Sequence, residues 1–426
     1  MKRIIHIIML AAVALGAQAL TLEECQRLAR ANYPLIRQQD LIARTAEYDI
    51  DNIGKAWLPR VQAYGQATLQ SAVTELPDAF QTVLRQQGME AKGISPFQYR
   101  VGVDVDQTVW EGGNIASQKE IARRTSEVQQ AQNEVTLYGV RERVNDLYFA
   151  VLLIEDQMRL HEDMITLLRD TERKITSMVK HGTASNADLA NIQAERVKAE
   201  QQHTQLQNSR HSYARVLALF IGKEPAYVTN LQKPAATPVT GQEVARPELT
   251  LLDKRLALLD ARQAQIKAGL MPRVSAFAQG FAGYLGYNMF RDMFHRSPTF
   301  NGLIGVRVTW NIGNLYTRRN DEAKLELQRS DLAAQRETFL LNNRLQSTMD
   351  EGNLAGYRQM LADDDTIINL RQTVRKAAQS KLNHGIIDVN DLLKEITAEH
   401  QARIAKSTHE LEMLKTIYDL RNTVNQ

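Results

Sequence analysis

The stretch His181-Gly182-Thr183-Ala184-Ser185-Asn186-Ala187-Asp188-Leu189 decides the fold, because its pattern returns as His384-Gly385-Ile386-Ile387-Asp388-Val389-Asn390-Asp391-Leu392. Both copies interrupt long helical segments. Gly182 and Gly385 suit the left-handed conformation that ends a helix. In each copy a capping residue and an acid three positions later restart the helix, as Ser185 with Asp188 and as Asp388 with Asp391. The pattern predicts a helix, a tight turn and an antiparallel helix in each half of the chain.

The segment before the first turn is unusually long for a helix. Between Asn114 and His181 the apolar residues follow one three-four heptad register, and His161 and Glu172 take its two remaining positions. The apolar members are Leu147, Val151, Ile154, Met158, Ile165, Leu168, Ile175 and Val179. A helix of this length would reach roughly 100 Å at about 1.5 Å per residue. Coiled-coil packing is therefore expected.

Two pairs of segments alternate instead with the period of strands. They cover about 58–70 with 99–110, and about 273–281 with 303–312. In the second segment three valines alternate with three charged residues: Val101, Val103 and Val105 with Arg100, Asp104 and Asp106. Strands of about ten residues with one apolar and one polar face are typical of outer-membrane barrels, although an ordinary sandwich hairpin would alternate in the same way.

The elements follow the same order in both halves, which indicates an internal duplication. The first repeat is expected at 20–222, with its helical hairpin at 114–221. The second is expected at 248–426, with its hairpin at 314–422, and the proline-rich segment 223–247 separates the two repeats.

The first 19 residues have the pattern of a secretory signal peptide. Lys2 and Arg3 precede an apolar run, and Ala17-Gln18-Ala19 has the small-x-small pattern of a cleavage site. Removing Lys2 and Arg3 from the 52 basic residues leaves 50 against 49 acidic ones, so nothing in the charge indicates a nucleic-acid partner. The only cysteine, Cys25, cannot form an internal disulfide and is expected to be buried.

The number of strands has a consequence for assembly. No later segment has the roughly 18–20 apolar residues of a membrane-spanning helix, so a chain that enters the membrane must do so as a barrel. Four strands cannot close one, and open edges in lipid would leave backbone groups unpaired at several kcal/mol each. Several copies must share one barrel, with eight strands in a dimer or twelve in a trimer, and an aqueous lumen needs more than eight.

The chain resembles the TolC family of bacterial outer-membrane efflux proteins in its signal peptide, its start Leu20-Thr21-Leu22-Glu23-Glu24-Cys25, its paired turns and its paired strand entries, Leu58-Pro59-Arg60-Val61 and Leu270-Met271-Pro272-Arg273-Val274. The resemblance implies a mixed α and β membrane protein of Gram-negative bacteria. It implies a homotrimer with a twelve-stranded β-barrel, four strands per chain, in outer-membrane lipid, continued by a long α-helical coiled-coil barrel across the periplasm. Such a channel would be the exit duct of a tripartite efflux pump or a type I secretion system. Its partners would be a periplasmic adaptor and an inner-membrane transporter.

The resemblance also implies roles for the two turns. The residues expected at the tip that an adaptor contacts are His181, Gly182, Thr183, His384, Gly385 and Ile386. Asp391 corresponds to an aspartate of the family's pore constriction, where a ring of carboxylates would bind cations. Asp188 is its counterpart in the first repeat, and either residue could instead only cap its helix. Lys394 departs from the family pattern, which has a second aspartate at that position.

The strand pattern predicts a second group of functional residues. Arg100, Asp104, Asp106 and Arg307 would line the barrel lumen, or equally a solvated strand face. No catalytic constellation emerges, since His161-Glu162 lacks the second histidine of a zinc-protease helix. We therefore expect no enzyme activity, cofactor or metal site. The main alternative is a periplasmic coiled-coil adaptor or scaffold, although an adaptor would usually carry one helical hairpin rather than two.

Overall fold

The computed structural model describes residues 19–237 and 244–425. The signal peptide predicted at 1–19 lies outside them except for Ala19, and so does part of the predicted proline-rich segment. Among the described residues, no helix combines the length and the apolar character needed to cross a membrane.

Two compact units make up the chain, and each takes segments from both sequence repeats. The helical unit comprises the described residues up to Asp40, 130–252 and those from Ala334 onward. The sheet unit comprises Leu41–Gln129 and Asp253–Ala333. Because each unit draws on both repeats, neither repeat is a compact body by itself.

Nine helices and four strands follow one another along the described residues, besides two short 3₁₀ turns. The helices are α1 (Leu22–Asn32), α2 (Ile36–Gly54), α3 (Asp78–Gln86), α4 (Asn114–Lys180), α5 (Asn186–Ile221), α6 (Pro247–Ala268), α7 (Met289–Phe294), α8 (Asn314–Asn383) and α9 (Val389–Val424). The strands are β1 (Arg60–Leu69), β2 (Phe97–Trp110), β3 (Arg273–Tyr284) and β4 (Thr299–Thr309). The predicted fold class, long helical hairpins with two strand pairs, is confirmed.

Some predicted boundaries are wrong. Strand β4 ends at Thr309 rather than residue 312. Helix α2 begins at Ile36, after a turn at Tyr33 to Leu35. Helices α3 and α7 lie between the strands of each pair, and both are too short for a helical period to stand out in the sequence.

The four strands form one antiparallel sheet in the order β1-β2-β3-β4. The β2–β3 pairing joins the two repeats, with Asp106 opposite Phe277 and Val103 opposite Gly280. In this register the predicted alternation holds, and one face of the sheet is apolar. Six large apolar residues on that face are exposed: Val61, Val101, Val103, Ile304, Val306 and Val308.

Both hairpin turns have the same backbone structure. Gly182 (φ 74°) and Gly385 (φ 69°) are left-handed. In each turn the glycine N–H donates to a carbonyl three residues back, and the next N–H donates five residues back, from Thr183 to Met178 and from Ile386 to Lys381. This is the Schellman motif, which satisfies the last carbonyls of α4 and α8. The predicted turns are therefore helix C-caps.

A cluster of buried side chains lies directly above the turns in the helical unit, and all four long helices contribute to it. Its members are Met164, Ile165, Leu168, Ile175, Ile192, Ala199, Ala378, Leu382, Val389, Leu392, Leu393 and Ile396. The heptad positions Ile165, Leu168 and Ile175 are among them, so the periodicity did mark the packed face of α4. A second cluster packs α1 against α4, α5 and α9 and buries Cys25.

We expect the turn glycines to differ from helical glycines. Gly182→Ala and Gly385→Ala should each lower stability by about 1 kcal/mol, because a Cβ strains the left-handed conformation although nothing lies within 4 Å of it. The control is Gly352→Ala in α8, which also has open space but no positive φ and should gain about 0.5–1 kcal/mol. Thermal melts followed by circular dichroism test this, and a loss of stability in Gly352→Ala would contradict it.

Candidate tip and lumen sites

All six residues predicted for the tip are exposed at the two turns of the helical unit. The most exposed apolar one is Ile386, at 69%. Nδ1 of His384 lies 2.8 Å from the carbonyl oxygen of Ser380, which holds that ring against the end of α8. The two hairpins are linked here by Asn191, whose Nδ2 donates to Oδ1 of Asn390 at 3.1 Å. The tip is therefore an ordered surface that both hairpins share.

Asp188 and Asp391 occupy equivalent positions but have different environments. One carboxylate oxygen of Asp188, Oδ2, accepts hydrogen bonds from the backbone N–H and the hydroxyl of Ser185, at 2.9 and 2.7 Å, so this oxygen belongs to the helix cap. In the second hairpin Asp388 is the cap, and it accepts the Asp391 N–H at 2.9 Å. The Asp391 carboxylate is half exposed and lies 3.2 Å from the ammonium of Lys394.

Each hairpin also contains an ion-pair network, and three corresponding positions of the two networks carry inverted charges. In the first hairpin Arg196 of α5 binds Glu172 of α4 at 2.8 Å and Glu200 at 2.7 Å. In the second hairpin the central residue is an acid, Glu399 of α9. It accepts hydrogen bonds from Arg375 of α8 and from Arg403, the latter at 2.7 Å.

The charge inversion favours correct pairing of the duplicated helices. Pairing α4 with α9 at this level would place Glu172 opposite Glu399, and pairing α8 with α5 would place Arg375 opposite Arg196. Like charges in a half-buried interface repel, so only the native pairs are favourable. Neither network was predicted from the sequence. The sequence does contain a sign of them, because residues of opposite charge lie at the same distances from the glycine of each turn.

On the sheet unit, two of the four predicted lumen residues lie together. Asp106 is 3.9 Å from the guanidinium of Arg307 and 3.8 Å from that of Arg273. It also accepts the Ser275 hydroxyl at 3.2 Å. Arg307 stacks over the ring of Phe277, with 4.6 Å to the ring centroid. These side chains form the edge of an open cleft of about 880 Å³ on the polar face of the sheet.

Of the other two predicted lumen residues, Asp104 lines the same cleft, whereas Arg100 lies on the same face outside it. Arg100 donates to the amide oxygen of Gln66 at 2.7 Å and lies over the rings of Tyr64 and Phe281. One carboxylate oxygen of Asp104 is buried without a hydrogen-bond partner in the described part of the chain. Arg273 was missed as a member of the polar face, because its approach to Asp106 depends on the register between repeats.

Neither site has the donor set of a metal centre. Over residues 19–237 and 244–425, no group of three or more His, Cys, Asp or Glu side chains is arranged to hold a metal ion. The two turn histidines each lie on their own hairpin, and His384 is engaged by Ser380.

The sheet with one apolar and one polar face and the paired long helical hairpins define the fold of outer-membrane channels. The channel OprN has this fold, with a TM-score of 0.68 at 16% identity over 95% of this chain and 89% of that one. The outer membrane protein VceC of Vibrio cholerae also has a TM-score of 0.68, at 12% identity over 95% of both chains. The open state of the Neisseria gonorrhoeae MtrE outer membrane channel has a TM-score of 0.65, at 14% identity over 95% and 88% of the two chains.

Residues 26–223 match the family model described as outer membrane efflux protein. With the fold match over nearly the whole chain, this confirms the resemblance drawn from the sequence. The similarity to the outer membrane efflux protein family therefore covers residues 26–223. Among curated proteins, none matches the sequence significantly. The alternative of a periplasmic adaptor is not favoured, because the matched fold is that of the channels.

The inverted networks generate a test. Burial raises the pKa of Glu399, but the hydrogen bonds from Arg375 and Arg403 outweigh this and hold the pKa below its usual value. Glu399→Gln should therefore destabilise the helical unit, by about 2 kcal/mol. In wild type, ionised Glu399 contributes this stability at pH values above its pKa in the unfolded chain. The contribution is lost as pH falls through the lower pKa that Glu399 has in the folded chain.

Chemical denaturation near neutral pH measures this loss. The matched control is Glu195→Gln, which removes only an exposed contact with Lys198 at 3.5 Å and should cost at most about 0.5 kcal/mol. Equal losses in the two variants would mean that the buried network adds nothing.

Proposed function

We propose that this chain is one of three identical subunits of an outer-membrane exit duct. The duct is a passive conduit of a tripartite efflux pump or a type I secretion system. Three chains supply twelve strands for a barrel in the outer membrane, and their helical units form a conduit in the periplasm. A periplasmic adaptor and an inner-membrane transporter complete the machine, and the transporter supplies the energy. No catalytic role belongs to the chain itself.

One observation carries this proposal: the sheet has an exposed apolar face and two open edges. In the described chain β1 pairs only with β2, and β4 only with β3. Ile304, near the middle of the edge strand β4, is 82% exposed. A single copy in lipid would leave both rows of edge backbone groups unpaired. Identical neighbours that pair β1 with β4 remove both edges, and lipid then covers the apolar face.

The helices support the same assembly. Within the helical unit, α8 exposes a row of large apolar side chains: Leu340, Leu341, Leu345, Met349, Met360, Ile367, Leu370 and Val374. Helix α5 exposes Val197, Tyr213, Val216 and Leu219. The apolar residues of α9 are instead buried, among them Leu411, Leu414 and Ile417. An exposed apolar surface of this extent fits contact with neighbouring subunits.

The exposed residues of the two turns support contact with an adaptor, and Asp391 beside them supports a pore constriction at this end of the helical unit. The exposed turns of both hairpins form the adaptor surface, centred on His181, Thr183, His384 and Ile386. Asp391 faces the pore at its narrowest point together with Lys394. Three such pairs carry no net charge, so the ring binds cations weakly. Asp188 acts as a helix cap and lies outside the gate.

We predict that the charge at the constriction sets ion selectivity. Asp391→Ala leaves three unpaired lysines, which should raise single-channel conductance for anions and shift the reversal potential toward anion selectivity. Lys394→Ala should shift it toward cations. Asp188→Ala removes the same charge from the capping box and should leave selectivity unchanged. Planar-bilayer recordings under a salt gradient measure all three, and an unchanged Asp391→Ala trace would remove this residue from the gate.

A second pair of variants tests the lipid-facing side of the sheet. Ile304→Arg places a charge on the apolar face and should cost about 2–4 kcal/mol per copy at the bilayer midplane. The recovery of heat-resistant trimers from the outer membrane should therefore fall. Leu303→Arg is the matched control, because Leu303 lies opposite Gln279 on the polar face. Equal recovery of both variants would exclude a membrane role for this face.

A further inference from the structure

Hairpin α4–α5 and hairpin α8–α9 meet at a pair of buried histidines. His161 of α4 and His400 of α9 are in contact edge to face, with 4.6 Å between ring centroids at an interplanar angle of 70°. Both residues are about nine-tenths buried. The Nδ1 of His161 and the Nε2 of His400 are buried and have no hydrogen-bond partner in the described residues. A small cavity of about 210 Å³ between α4 and α9 is lined in part by His400.

We propose that this histidine pair is a pH-sensitive contact between the two hairpins, which holds them together at neutral pH and loosens them in mildly acid conditions. The contact is stable when both rings are neutral. Protonated rings would be adjacent positive charges, buried without a counter-ion in contact, which destabilises the packed state. The proposal concerns the packing of the chain and does not rest on the export role.

The charged groups around the pair do not compensate a buried imidazolium. On α5, His203 already binds Glu162 at 3.0 Å, so that carboxylate is engaged. On α9, Glu399 is held by Arg375 of α8 and by Arg403. Asp163 of α4 favours a charged His400, whereas Arg403 opposes it.

The pKa values support the geometry. The pKa of His400 is lowered to about 4, chiefly by burial, with smaller contributions from the neighbouring His161 and Arg403. Burial also lowers the pKa of His161, with a contribution from His203. The packed state therefore binds fewer protons than the open state. As pH falls from about 6.5 toward 4, the open state gains protons, and the contact weakens by up to about tenfold per pH unit for each ring.

Hydrogen exchange of the purified full chain tests this. Protection factors, corrected for the intrinsic pH dependence of exchange, are measured at about pH 7.5 and pH 5 for segments 158–166 and 396–404. We expect a fall of roughly tenfold or more in wild type. His161→Phe with His400→Phe keeps two packed rings that cannot titrate and should remove the fall. His211→Gln with His295→Gln removes two exposed histidines and should behave as wild type.

Two results would overturn the proposal. One is a wild-type protection factor that does not change with pH in these segments. The other is an equal fall in the double phenylalanine variant. If that variant does not fold, the wild-type protein provides its own control. Its segment 214–221 lies in the other core cluster, away from the histidine pair. A fall of the same size there as in 158–166 and 396–404 would show that the pH effect is general rather than a property of this contact.

Discussion

Pairing of backbone N–H and C=O groups at the two open edges of the sheet is the constraint on which this molecule depends. A strand in lipid has no water to satisfy these groups, so each must find a partner in another strand. The chain contributes four strands, and its sheet ends at β1 and at β4. One face of this sheet is apolar and exposed, with Ile304 and Val306 on the edge strand β4. In the assembly proposed above, identical copies pair the open edges, and lipid covers the apolar face.

The helical unit meets a different requirement, because a duplicated chain must pair four similar long helices correctly. The two Schellman turns fold α5 back beside α4 and α9 back beside α8. The inverted networks centred on Arg196 and Glu399 then favour the pairing within each hairpin. The buried pair His161–His400 and the Asn191–Asn390 hydrogen bond connect one hairpin to the other. An ion pair between Lys415 of α9 and Asp146 of α4, at 2.9 Å, also connects the hairpins.

The features that could be read from the sequence are those with a local signal. The alternation of Val101 and Val103 with charged residues predicted the apolar face, and the paired glycines at 182 and 385 predicted both turns. The heptad register predicted that His161 lies in a packed seam. Its partner, His400, could not be predicted, because it belongs to a helix of the other repeat. Contacts such as Arg273 with Asp106 likewise depend on a strand register across repeats that no local pattern encodes.

Disulfide cross-linking between the outer strands tests the central claim most directly. Cys25 is replaced by alanine, and Ala63→Cys in β1 is combined in turn with Ile304→Cys, Val306→Cys and Val308→Cys in β4, all on the apolar face. Oxidation in native membranes should give, for at least one of the three combinations, covalent dimers and trimers and no larger species. Chains that remain monomeric in every combination, or that cross-link only within one copy, would contradict the claim that neighbouring copies complete the sheet.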